Sequence, residues 1–212
     1  MKKALVVFAA VLFLAAVVPQ PAAAETTFDL GVKGGISMAK VKFSDGPEGG
    51  FDNLNKPVFG VFFSLNLNEF FSIQPEAFFL QQGGVYEDDS KEISYKYELA
   101  MTYIHIPVLA KVKLVKEGTV RPILFAGPAV GFLTKAVERY YEDGALEGEE
   151  DVKEYLKSTN FSAVFGGGVE IVLDKLLLVL DVRYDLGLAS VNAEGSDSIK
   201  TNALMFMAGI GF

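Results

Sequence analysis

Apolar and polar residues alternate with a period of two along most of the chain, most cleanly between Leu99 and Leu133. In LAMTYIHIPVLAKVKL, Thr102, Ile104, Ile106, Val108, Ala110, Val112 and Leu114 share one parity, while Tyr103, His105, Lys111 and Lys113 share the other. Period two sends alternate side chains to opposite faces of a strand, whereas a helix would scatter the two lysines around its axis. A short polar turn at Gly118 and a second apolar run, RPILFAGPAVGFL, complete a long antiparallel hairpin. Its strands exceed the roughly 5–6 residues usual in a soluble sheet. They fit the roughly 9–11 residues that a tilted strand needs to cross a bilayer.

The same rule predicts further strands on either side. Phe28, Leu30, Val32, Ile36 and Met38 oppose Asp29, Gly31, Lys33, Gly35, Ser37 and Ala39. Phe59, Val61, Phe63 and Leu65 form one face of a second strand, and Phe71, Ile73, Ala77 and Phe79 alternate with Ser72, Gln74 and Glu76 in a third. Past the hairpin, Phe161, Ala163, Phe165, Val169 and Ile171 oppose Ser162, Val164, Gly166, Gly168 and Glu170. Leu178, Leu180, Val182, Tyr184, Leu186 and Leu188 oppose Asp181, Arg183, Asp185 and Gly187, and an eighth strand ends at Phe212. The predicted connections sort into two kinds. Those at 66–69, 115–119 and 173–176 are short, and those at 42–56, 86–96, 137–156 and 190–200 are long and polar. An even strand count with short turns at one end and long loops at the other predicts an all-β fold: an eight-stranded antiparallel up-and-down transmembrane β-barrel.

The first residues add an address. Met1-Lys2-Lys3 precedes an apolar run from Ala4 to Val18, and Ala22-Ala23-Ala24 precedes Glu25. A basic start, a short apolar core and a small-residue cleavage site describe a secretory signal peptide over 1–24, ahead of a barrel domain over 25–212. The apolar run is short for a spanning helix, which needs about 20 residues. No Cys follows it to carry a lipid. Loss of Lys2 and Lys3 takes the formal charge from −8 to −10. An acidic exported chain argues against nucleic acid as a partner. With no Cys there is neither a disulfide nor thiol chemistry.

One face of the strands gathers Asp29, Lys33, Gln74, Glu76, His105, Lys111, Glu170, Asp181, Arg183 and Asp185 among many glycines, and the larger apolar residues occupy the other. An ionised group in hydrocarbon is costly and faces the interior of the assembly. Eight strands enclose a space that side chains fill. The expectation is a plugged, charge-paired lumen, with Lys111 or Arg183 paired to Glu76, Glu170 or Asp181. Gly127, Gly131, Gly166 and Gly168 fall on the inward face and leave room for the long charged chains. Phe28, Phe71, Phe132 and Tyr184 are candidates for interfacial girdles.

Seven fragments, in order, resemble the porin-like or PorT-like outer-membrane β-barrel family of Bacteroidetes-type bacteria. They are GVKGGISMAK (31–40), QPEAFF (74–79), YIHIPVLAKV (103–112), RPILFAGPAVGFL (121–133), FGGGVEI (165–171), DVRYDLGL (181–188) and GIGF (209–212). The resemblance implies an eight-stranded barrel in the bacterial outer membrane, in contact with its lipid. It also implies insertion by the outer-membrane assembly machinery, for which the terminal aromatic Phe212 is the signal. Two features depart from the family pattern: His105 stands where relatives carry an acidic or polar residue, and the 137–156 loop is unusually acidic.

No cofactor or metal is expected. His105 is the only histidine, so a serine–histidine or metal mechanism must use it, yet no serine shares a motif with it. Its expected role is lumenal hydrogen bonding. The acidic loop holds clustered carboxylates but lacks the D-x-D-x-D-G spacing of a calcium loop and reads as solvated surface. Gly166-Gly167-Gly168 lacks the lysine and hydroxyl of a phosphate loop. The reading that follows is a structural or interaction barrel that presents loops to a surface or periplasmic protein partner. The alternatives are a narrow solute pore, an outer-membrane lipid-modifying enzyme and a soluble lipocalin-type binder. Heat-modifiable migration on SDS gels, together with recovery in the outer-membrane fraction, is the expected outcome; release with periplasmic contents would instead mean a soluble barrel.

Overall fold

The computed structural model describes residues 27–43, 51–88, 93–193 and 198–212. The expected signal segment lies outside them. Nine strands follow in order: β1 (Thr27–Phe43), β2 (Leu54–Asn66), β3 (Phe71–Asp88), β4 (Tyr95–Lys113), β5 (Val120–Glu142), β6 (Ala145–Asp151), β7 (Thr159–Leu173), β8 (Leu176–Gly187) and β9 (Ile199–Gly211). Eight of them form an antiparallel ring, β1-β2-β3-β4-β5-β7-β8-β9, and β9 returns to pair with β1. The closing seam runs in register from Gly31 opposite Gly211 to Phe43 opposite Ile199. Leu30 and Phe212 exchange two backbone hydrogen bonds of 3.0 Å at its end. Closure is what a bilayer demands, because an open strand edge in hydrocarbon leaves its N–H and C=O groups unpaired.

The 137–156 segment is not a loop, as the sequence pattern suggested. β5 continues to Glu142, Asp143 and Gly144 turn with positive φ, and β6 pairs back from Glu142–Ala145 to Val137–Asp151. The hairpin prolongs a ladder that already exists, so it needs no apolar face of its own and left no hydrophobic period to read. Its seven β6 residues are almost wholly exposed. For the same reason the 86–96 connection is shorter than expected, with β3 and β4 still paired at Asp88 and Tyr95.

The outward face is apolar along the ring: Phe28, Val32, Ile36, Phe59, Phe71, Leu124, Phe165, Leu180, Phe206 and Ile210 are all exposed. Thr102 is the exception to the expected parity. A bulge between Thr102 and Tyr103 shifts the register against β5, and both side chains are buried. The inward face is also richer in apolar groups than the charge pattern implied. Phe62, Leu109, Ile123, Phe125 and Val179 pack in its lower half. Phe78, Leu80, Met205 and Met207 pack at mid-height.

The loop end of the lumen is covered. Val41, Leu99, Met101, Tyr103, Leu133, Ala136, Val152 and Val191 form one buried apolar cluster, with Leu156 packed on it. The covering segments are tied down by backbone bonds from Val152 N to Ala136 O (3.1 Å), Lys157 N to Val191 O (2.7 Å) and Ala193 N to Tyr155 O (3.0 Å).

Gly166 and Gly168 show why the inward face needs glycine. A Cβ on Gly166 would lie 2.3 Å from Val182 O and 2.8 Å from the Phe125 ring, and one on Gly168 would lie 2.1 Å from Leu180 O and 2.8 Å from Asp181 Cβ. The missing side chains let β8 approach and seat Phe125 and Asp181 in the lumen. Gly166→Val is therefore expected to lower stability by at least the ~1–3 kcal/mol typical of overpacking. Urea unfolding of the refolded barrel measures it, and an unchanged midpoint would mean that the strands separate freely.

Candidate functional site: the charged lumen

Period two sets the inward residues of adjacent strands side by side, and the ring brings distant ones together across the lumen. Lys33 on β1, Glu76 on β3, and Asp181 and Arg183 on β8 meet at the centre, all buried. The Lys33 ammonium donates to Glu76 Oε1 and to Asp181 Oδ2, each at 3.0 Å. The Arg183 guanidinium grips Asp181 through Nε and Nη2, both at 2.8 Å, and donates through Nη1 to Glu76 Oε2. Two cations and two carboxylates thus cancel in one cluster. A planar guanidinium suits this place because its fork matches a carboxylate edge on.

Aromatic rings complete the cluster. The Arg183 guanidinium lies 5.0 Å from the Phe125 ring centre and 5.5 Å from that of Phe78, and the Lys33 ammonium lies 5.0 Å from that of Phe62. The negative faces of these rings add cation contacts to the ion pairs.

Gln74 connects this cluster to a second one. Its amide donates to Glu76 Oε1 (2.7 Å), and its carbonyl accepts from Lys111 (2.8 Å), whose ammonium also contacts Glu170. Nearer the short turns, Asn66 accepts from Lys113 (2.9 Å) and Ser72 (2.7 Å) and donates to Asp29 (2.8 Å). Asp29 is half-buried there, away from the central cluster. This end opens into a cavity of about 160 Å³, lined among others by Asp29, Asn66, Lys113, Arg121 and Glu170.

Towards the loops, neutral amides and hydroxyls gather around one carboxylate, Asp185. Gln82 donates to Asp185 Oδ2 (3.0 Å) and accepts from Thr201 (2.8 Å) and Asn160 (3.2 Å). His105 Nε2 lies 3.3 Å from Asp185 Oδ2. Among the described residues, His105 Nε2 and Asp185 Oδ1 have no hydrogen-bond partner, and neither do the hydroxyls of Ser37 and Ser162. Sequence reasoning missed Gln74, Gln82 and Asn66 as the connectors. They carry no charge, and only the register places them between charges.

The expected lumenal candidates therefore fall into four places, with Asp29 by itself beside Asn66 near the short turns. Lys33, Glu76, Asp181 and Arg183 meet, Lys111 and Glu170 pair below them, and His105 and Asp185 adjoin above. Phe212 is apart from all of these, 73 % exposed at the seam. Of the aromatic girdle candidates, Phe28 and Phe71 are exposed at strand ends, and Tyr184 lies 5.6 Å from Phe165.

With the ring and its filled interior established, comparison with known proteins places the chain. A model of the outer membrane protein beta-barrel domain matches residues 20–192. The chain belongs to this family. It is a bacterial outer-membrane protein, and its strands are the spanning elements. Among solved structures, Neisserial surface protein A is 16% identical at a TM-score of 0.47, covering 87% of this chain and 95% of its own. The Escherichia coli outer membrane protein W is 14% identical at 0.46, covering 89% and 98%. The attachment invasion locus protein Ail of Yersinia pestis is 14% identical at 0.44, covering 87% and 98%. No curated protein matches the sequence.

Removing one member of a buried charge cluster strands the others. Arg183→Met leaves Glu76 and Asp181 sharing only Lys33, and is expected to cost ~3–5 kcal/mol. Urea unfolding of the refolded barrel measures this. A loss under about 1 kcal/mol, the scale of a solvent-exposed pair, would mean that water reaches the cluster.

Proposed function

We propose that this outer-membrane barrel is a structural or interaction protein: a closed, plugged anchor that holds an acidic extracellular hairpin and its neighbouring loops out for a protein partner. One observation carries the reading. The cross-section at Arg183 is occupied by side chains from β1, β3, β5 and β8, and an apolar cover lies over them at the loop end. A pore needs a water-lined path, and ions do not pass an apolar seal cheaply.

The hairpin is held rigidly enough to serve as a platform. Arg139 bridges Glu98 and Glu149, at 2.8 Å each; Lys56 also pairs with Glu98 and Lys135 with Glu149. This chain of ion pairs crosses from β2 to β6 above the ring.

A narrow porin-type channel is the second reading. The cavity at the short-turn end and the unpartnered hydroxyls of Ser37 and Ser162 favour it, since both suit water inside part of the lumen. We assign no catalytic role. His105 has a carboxylate beside it in Asp185, but its ring is buried beneath the apolar cover, where a lipid or peptide substrate has no approach.

Within the family, the seven ordered fragments support a place among the porin-like or PorT-like barrels. The sequence pattern supports removal of residues 1–24, so that the outer-membrane form begins at Glu25 by intact mass. Phe212, exposed at the closing seam, supports recognition by the assembly machinery.

The deciding experiment is conductance of the refolded protein in a planar bilayer, beside Lys111→Ala and Arg183→Ala. The plugged anchor is expected to be silent while still migrating as a heat-modifiable barrel. Steady conductance whose ion selectivity changes with either substitution would overturn this reading and make the lumenal charges a solute path.

A further inference from the structure

Five carboxylates are buried among the described residues, and four of them hold a lysine or an arginine. Glu76 and Asp181 share Lys33 and Arg183, Glu170 holds Lys111, and Glu98 holds Lys56 and Arg139. The fifth, Asp185, is the most deeply buried at 0 % exposure, and among the described residues it pairs with neither cation type. Arg183 lies two residues away on the same face of β8, but its fork is committed to Asp181 and Glu76.

The polar atoms around Asp185 are left open in the same way. Its Oδ2 accepts from Gln82, while Oδ1 has no partner. Asn160 commits its amide nitrogen to Gln82 and Thr201 and leaves Oδ1 open. Ser162, the next inward residue of β7, has an open hydroxyl, and its rung on β8 is Gly187, which brings no side chain. His105 and Asn160 share a rung with Gly131 between them, so this wall is also bare. Of the six unpartnered buried side-chain atoms among the described residues, four belong here: Asp185 Oδ1, Asn160 Oδ1, Ser162 Oγ and His105 Nε2. The apolar cover closes the chamber on the loop side, and the Arg183 cluster closes it below.

A buried carboxylate without a cation is costly, so its charge calls for a balancing one. A proton on His105 is one candidate, yet Nε2 lies 3.3 Å from Asp185 Oδ2 without a hydrogen bond to it. The open oxygens are a carboxylate, an amide carbonyl and a hydroxyl, which suit a hard cation and not a soft metal. A divalent ion would leave one positive charge in excess. Among the described residues, no three His, Asp or Glu side chains gather to hold one. We propose that this chamber is a site for a monovalent cation, sodium, held by Asp185 Oδ1, Asn160 Oδ1 and Ser162 Oγ. Sealed from both ends, the ion is captured as the ring closes and serves as part of the lumenal packing.

The test refolds the barrel from urea into detergent micelles in sodium chloride or in choline chloride at equal ionic strength, choline being a quaternary ammonium that oxygens do not ligate closely. Heat-modifiable migration follows the folded fraction. With sodium in roughly hundredfold excess over its dissociation constant, the folded-to-unfolded ratio of wild type should exceed that in choline about a hundredfold. Asp185→Asn keeps the shape and drops the charge, and should respond equally to the two salts. Asp174→Asn, at an exposed carboxylate in the β7–β8 turn, should keep the full sodium response. A second readout needs no variant to fold: wild type refolded and crystallised in thallium(I) nitrate should show one anomalous peak beside Asp185, and its absence would overturn the site. Equal wild-type stability in sodium and choline would also overturn it and leave His105 to carry a balancing proton. So would a sodium response in Asp185→Asn as large as that of wild type.

Discussion

Every feature of this protein depends on closing the β1–β9 ladder. In hydrocarbon an unpaired backbone amide has no water to turn to, so a sheet is stable there only without edges. Closing eight strands fixes the lumen's diameter, and the diameter decides what the inward residues can be. There is no room for a column of solvent beside Arg183, Phe62, Phe78 and Phe125. The charges must then satisfy one another, and each carboxylate at the centre does so against both a lysine and an arginine. Glycines at positions such as 166 and 168 belong to the same constraint, for they let the strands coil tightly enough to close.

A buried ion cluster is a poor source of net stability compared with a well-packed apolar core. Its use here follows from the medium. With lipid outside, the apolar surface faces outward, and a uniformly apolar interior would leave little difference between the two faces of each strand. A one-residue slip in register inverts every side chain. Inward charges make that slip prohibitive, because it would place Lys33, Glu76, Asp181 and Arg183 in hydrocarbon. The cluster thus specifies register more than it adds stability, and the cation–ring contacts lower its desolvation cost.

Much of this was legible from alternation alone. The outward rows of β1, β2, β3, β7 and β8 and the inward set from Asp29 to Asp185 follow from period two, since a strand has only two faces. Which carboxylate meets which cation was not legible. Pairing across a lumen depends on barrel shear, which no local pattern encodes, so Gln74 as the link between the Glu76 and Glu170 clusters emerges only in three dimensions. The aromatic rings inside the lumen were hidden for a different reason. Phe62, Phe78 and Phe125 have the parity of the charged residues, and a rule that sorts greasy from polar cannot see that a ring face serves a cation. β6 was missed because it is held by main-chain bonds to β5 and by the Arg139 ion pairs, not by burial of apolar surface.

β6 also completes the logic of edges. Within the membrane the fold abolishes them by closure; above it, one remains, because β6 pairs only with β5. Exposed edges invite pairing with other chains, and charged side chains blunt them. Glu147, Glu149, Glu150 and Asp151 stand along this edge, and only Glu149 is matched to cations, Arg139 and Lys135, among the described residues. Glu138 and Glu150 are opposed, with no ion pair to either among the described residues. A hairpin in water tolerates such a pair only because the barrel beneath already holds β5 in place. Closure below therefore permits unmatched charge above, where water screens it.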